Sequence, residues 1–141
     1  AHLCGTNMVG VMIVIENGEI NKKEHRIFKI KNQDGVSDTK ALYEVLTRRL
    51  KHNEWKIPNL IVVDGNIAQI NTASKALEQS SFNIPVVAVT KDDKHKPKYI
   101  QSQEKELENT ISKYRDLILL ANNEAHRFAV SYHRKLRSKM V

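Results

Sequence analysis

Two groups of residues in this chain have the types and the setting to do chemistry. The first is Asp64, which closes the run Pro58-Asn59-Leu60-Ile61-Val62-Val63-Asp64-Gly65. A carboxylate held at a strand end is a hard oxygen donor, suited to magnesium or manganese. The second is the stretch from Glu124 to Lys139. It holds His126 and His133 among Arg127, Arg134, Lys135, Arg137 and Lys139, and no acid follows Glu124. On a helix His126, Val130, His133 and Arg137 share one face, because the spacings are four, three and four. Carboxylates that hold a divalent metal beside a cationic surface are the equipment for cutting phosphodiesters. The metal activates water and neutralises the phosphate in transit, while the cations hold the backbone. Plainer readings stand next to these. Asp64 would serve equally as the cap of a following helix. The basic stretch is also what a solvated helix end looks like, favourable to the helix dipole. That second reading accounts for the charges and leaves the two histidines unexplained. A carboxylate on the first strand should complete a metal site, and none occurs between Ala1 and Ile15. From the residues alone the site is one ligand short.

The elements that must position these groups are legible from periodicity. The run into Asp64 is β-branched at 61, 62 and 63, and it reads as a strand buried on both faces at the centre of a sheet. Ahead of it, Val9, Val11, Ile13 and Ile15 alternate in a first strand, and Asn17-Gly18 is a hairpin signal. A second strand follows through Ile20 and Arg26 to Lys31, with a turn at Asp34-Gly35. Ser37 or Asp38 caps a helix whose apolar positions are Ala41, Leu42, Val45, Leu46 and Leu50. After Gly65, Ile67, Ile70, Ala73 and Leu77 mark another helix. Val86 to Val89 should pair parallel to the central strand, Lys91 to Lys98 reads as a mobile loop, and Tyr99-Ile100 as a short edge strand. From Glu104 onward a helical seam runs through Leu107, Ile111, Tyr114, Ile118, Ala121, Ala125, Phe128 and Tyr132, with a break between two helices at Asn122-Asn123. An antiparallel hairpin joined to parallel strands, with helices on both sides, is an α/β order that suits a ribonuclease H-like mixed sheet, among other α/β options.

Length and composition set the frame. The 141 residues amount to one ordinary domain, residues 1–141, with 40% hydrophobic and 28% charged residues. The first residue is alanine, so the sequence reads as a domain excised from a longer chain. Apolar runs fall far short of a membrane span. Cys4 stands alone, which excludes an internal disulfide, suits a reducing cytoplasm and leaves the residue as a small apolar packer. A net charge of +7 favours an acidic polymer as partner, nucleic acid before membrane.

Three blocks then resemble a known family. The opening, His2-Leu3-Cys4-Gly5-Thr6-Asn7-Met8-Val9-Gly10-Val11-Met12, is similar to the Asp-x-Ser-His-x-x-Gly-Thr motif of the C-terminal endonuclease domain of UvrC, the excinuclease subunit of bacterial nucleotide excision repair. Ser37-Asp38, Glu44 to Arg49, and Leu60 to Gly65 with Gln69 resemble the family's second block. Asn123 to Ala129 with His133 to Lys139 resemble its third. The resemblance implies a ribonuclease H-like fold whose Asp-Asp-His site uses magnesium or manganese to make the 5′ incision beside a lesion. Its partners would be damaged double-stranded DNA, UvrB and, in the pathway, UvrA. Residue by residue, Asp64 matches the second aspartate and His126 the histidine, as metal ligand or proton carrier. The first aspartate falls two positions before Ala1. Asp38 matches a further acidic position, with a helix cap as its plainer role. Arg127, His133, Arg134, Lys135 and Arg137 would hold DNA, while His2, Gly65 and Gln69 support the motifs. One departure stands out: Ile67 occupies the place of the lysine in the family's Gly-Gly-Lys-Gly-Gln. The resemblance also implies a longer parent protein carrying a paired helix-hairpin-helix module, a UvrB-binding segment and a domain for the 3′ incision. The same fold with its site lost, a DNA-binding or assembly module, is the alternative. An RNA-directed ribonuclease H is disfavoured by the three motifs.

Overall fold

The computed structural model describes residues 9–31, 37–92, 94 and 97–139. Asn17 and Gly18 both adopt positive φ (53° and 80°), the backbone that a two-residue hairpin demands. Around them the first strand divides. β1 (Val9–Met12) pairs antiparallel with β4 (Arg26–Lys29), in register from Val9 opposite Lys29 to Met12 opposite Arg26. The short ladder of β2 (Ile15–Glu16) and β3 (Glu19–Ile20) closes the hairpin tip. Ser37 then caps α1 (Asp38–Leu50), its hydroxyl accepting from the Lys40 amide at 3.4 Å. Asp38 is therefore the first residue of the helix rather than its cap. There its charge favours the positive end of the helix dipole.

β5 (Ile61–Asp64) and β6 (Val86–Lys91) run parallel, Asp64 opposite Val89, and β7 (Pro97–Gln101) lies antiparallel on the far side of β6. Among the described residues the ladder order is β5-β6-β7, with β6, whose Val86 to Val89 are all buried, between the other two. An apolar β-branched run shows that a strand is covered, and both runs qualify. Ladder position depends on which chain segment docks alongside. The stretch expected as a loop from Lys91 to Lys98 is strand at its two ends, since β6 extends to Lys91 and β7 starts at Pro97, while residues 93, 95 and 96 lie outside the described residues. Tyr99-Ile100 does lie in an edge strand.

The β5–β6 faces are divided between two helix layers. Ile61 and Val63 lie with Leu46 and Leu50 of α1 and with Ile70, Ala73 and Leu77 of α2 (Ile67–Gln79). Leu60, Val62, Val87 and Val89 lie instead with Leu107 and Ile118, at the start of the C-terminal helices. These are α3 (Glu108–Lys113) and the 25-residue α4 (Arg115–Lys139). The break between them falls at Tyr114 (φ −110°, ψ 20°), and the helix runs unbroken through Asn122-Asn123. Restarting the helix at Arg115 shifts its phase. The residues buried on α4 are Ile118, Asn122, Glu124 and Ala129, so two polar residues lie where a purely apolar seam was expected. The architecture is α/β with a mixed parallel and antiparallel sheet between helices, consistent with a ribonuclease H-like fold. No helix among the described residues is long and apolar enough to cross a membrane.

Candidate metal and nucleic-acid site

Asp64 is the last residue of β5, its side chain 46% exposed. Side chains alternate along a strand, so Asp64 continues the row of Leu60 and Val62 on the sheet face covered by α4. The turn beneath it is tightly determined. The Gly65 amide donates to the Val89 carbonyl at 3.0 Å, and the Thr90 hydroxyl donates to the Gly65 carbonyl at 2.8 Å. Gly65 has φ +137°, a backbone that other residues rarely adopt. A Cβ there would also collide with the Gln69 side chain. That side chain is occupied: Gln69 Oε1 accepts from the Asn66 amide at 2.9 Å while Asn66 Oδ1 accepts from the Ala68 amide at 3.0 Å, a reciprocal capping box on α2. Asn66 caps the helix. Asp64 does not, and its carboxylate is left for other work.

Lys91, at the end of β6, supplies the charge beside it. Its Nζ lies 3.4 Å from Asp64 Oδ1, and its side chain is only 17% exposed. Ile67, at the start of α2, is 46% exposed and brings no charge. As a metal ligand Asp64 suits a hard divalent ion. Among the described residues, however, no three His, Cys, Asp or Glu side chains are grouped to hold a metal. Of the opening block, His2 and the residues up to position 8 lie outside the described residues.

His126 is exposed on α4, two residues beyond buried Glu124. Glu124 is the best-secured charge in the molecule's described part. Arg127 grips it with two hydrogen bonds of 2.7 Å, from Nε to Oε1 and from Nη2 to Oε2. Oε2 also lies 2.8 Å from His25 Nε2, which must donate because a carboxylate only accepts. The His25 ring meets Phe128 edge-on at 4.7 Å, and its Nδ1 is buried with no hydrogen-bond partner among the described residues. The Arg127 guanidinium, more than His25, holds the Glu124 carboxyl down at about 2 against the opposing effect of burial. This trio ties the loop before β4 to the helix that bears His126.

Arg134, Lys135 and Arg137 are exposed near the end of α4, and His133 is half-buried with its Nε2 unpartnered among the described residues. Arg127 stands apart from them, because two of its three nitrogens are committed to Glu124. Periodicity concealed His25, whose partner lies 99 residues away, and it also concealed Lys91, which read as one more lysine in a polar loop. Glu124 did carry a signal, as the last acid before a cationic run with an arginine three residues on.

Comparisons of the sequence place the fold in a family. The model of the UvrC RNase H endonuclease domain matches residues 1–130. The chain is 40% identical to UvrABC system protein C of Caldicellulosiruptor saccharolyticus over 143 aligned positions, covering 99% of this chain and 24% of that protein. It is 38% identical to the protein of the same name from Clostridioides difficile, covering 100% of this chain and 23% of the relative. For that of Malacoplasma penetrans the figures are 41% identity, 100% and 25%. The chain thus spans about a quarter of the length of the relatives it matches. It belongs to the UvrC RNase H endonuclease domain family.

Proposed function

We propose that this chain is the metal-dependent DNA endonuclease domain of a bacterial excinuclease, making the 5′ incision in nucleotide excision repair. The observation that carries this reading is a half-exposed, non-capping Asp64 at the carboxyl end of β5, on the sheet face covered by the helix that bears His126 and the basic run. Open sheets bind their ligands at that end. Asp64 would hold the divalent ion, magnesium or manganese, with a second aspartate from the complete opening motif. His126 would serve as a further ligand or move a proton. The ion supplies an activated water and charge neutralisation at the phosphate. Arg134, Lys135 and Arg137, with Arg127 and His133 beside them, hold the backbone of damaged duplex DNA. UvrB and UvrA are the partners of the parent chain, which would act in the cytoplasm.

A non-catalytic DNA-binding module is the second reading. It is favoured by Ile67 in the place of a lysine. Nicking of supercoiled plasmid with manganese separates the two. The test compares this chain, a version carrying the full Asp-x-Ser-His opening, and Asp64→Asn in that version. Cutting by the completed version and none by Asp64→Asn supports the nuclease. Salt-sensitive binding with no cutting by the completed version in its full-length parent supports the module.

A further inference from the structure

We propose that Lys91 is a substrate-contacting residue of this site, its ammonium engaging the phosphate group that lies against Asp64. The proposal rests on the nuclease reading above and adds to it a residue that the motifs do not name.

Geometry carries the inference. Val87, Val89 and Lys91 continue one row of β6, and Val89 sits directly opposite Asp64 in the parallel register. Lys91 therefore rises beside the carboxylate on the side of α4, where its Nζ lies 3.4 Å from Oδ1. The β6–β7 ladder changes register here, Thr90 facing Tyr99 and Lys91 facing Pro97, so the extra residue falls on β7 and β6 keeps its alternation to Lys91. Bulges of this kind gather next to active sites. Thr90 meanwhile fixes the Gly65 carbonyl at 2.8 Å, so the two strand ends are locked together.

A structural explanation falls short. Lysine normally keeps its ammonium in open water, yet this side chain is 17% exposed and ends on a carboxylate that is itself 46% exposed. Ion pairs with one exposed partner contribute little to stability, and holding a long flexible side chain in one rotamer costs entropy. The placement makes sense if a second anion arrives. An ammonium has three donors, of which one suffices for Asp64, and the others are available to phosphate oxygens. Ile67, exposed at the start of α2, has no donor to offer. Lys91 is the cation that stands directly against Asp64, where the phosphate of a bound backbone would lie.

The test uses the full-length parent protein in two arms. In the first, nicking with manganese is followed for wild type, Lys91→Met and Lys91→Arg. Lys91→Met should lower kcat at least 100-fold with KM changed less than fivefold, and Lys91→Arg should recover a tenth or more of the wild-type rate. In the second arm nothing is cut. DNA affinity is measured against salt in an Asp64→Asn background with and without Lys91→Met. Losing one phosphate contact should flatten the slope of log K against log salt by about 0.9. Both results support the proposal. A Lys91→Met enzyme within threefold of wild type, or an unchanged salt slope, overturns it. If the wild type does not cut while the slope still falls, the contact stands and the nuclease reading fails.

Discussion

Glu124→Gln tests the anchoring of α4 most directly, because it removes one charge and nearly nothing else. The carboxyl titrates at about 2 in the folded chain, against an ordinary value near 4.5. Each tenfold change in proton affinity between the unfolded and folded chain is worth about 1.4 kcal/mol, so the full linkage contribution at neutral pH is about 3 kcal/mol. The Arg127 side chain is 56% exposed, so water and salt screen part of that, leaving about 2 kcal/mol. The sign follows from a lowered folded pKa. The stabilisation is complete above the unfolded value and is lost as pH falls from about 4.5 through about 2. Glutamine can still accept one bond from Arg127 or His25, so the variant should fold. It should be weaker by about 2 kcal/mol at pH 7 and should lack this group's share of the acid-induced loss. With a urea m-value of about 1.5 kcal/mol/M for a domain of this size, the midpoint should fall by about 1.3 M at pH 7. The two midpoints should then converge as pH drops toward 2. Equal midpoints at pH 7, or parallel acid slopes, would refute the claim that the buried trio anchors α4.

Other expectations are simpler to check. Asn66→Ala removes half of the capping box and should cost about 1 kcal/mol, read as a lower thermal midpoint with the fold unchanged by circular dichroism. Neutralising Arg134, Lys135 and Arg137 together should flatten the salt dependence of DNA binding by about 2 to 3 in log–log slope, measured by fluorescence anisotropy. A slope change below about 0.5 would show that this helix end is merely solvated. Asp64→Asn should abolish manganese-dependent nicking while leaving the urea-derived stability within about 0.5 kcal/mol of wild type, since its only partner among the described residues is Lys91 across a partly exposed pair.

What the sequence determined by itself is everything that a short window can encode. The Asn17-Gly18 turn, a cap at Ser37 or Asp38, the helices through Leu46 and Ile70, the parallel strand at Val86 and the edge strand at Tyr99 all follow from local backbone preference and hydrophobic period. So does the delivery of Asp64 to a strand end. Tertiary structure decided what depends on distant segments. It set β6 between β5 and β7 among the described strands, since burial signals coverage without saying by which neighbour. It kept α4 intact through Asn122 and placed the break at Tyr114, because a packed helix outweighs the weak intrinsic preference of asparagine. It gave the capping of α2 to Asn66 and so released Asp64. Above all it paired His25 with Glu124 and Lys91 with Asp64. Charges meet through space, across chain separations that periodicity does not register, and only the folded backbone brings those partners within hydrogen-bonding reach.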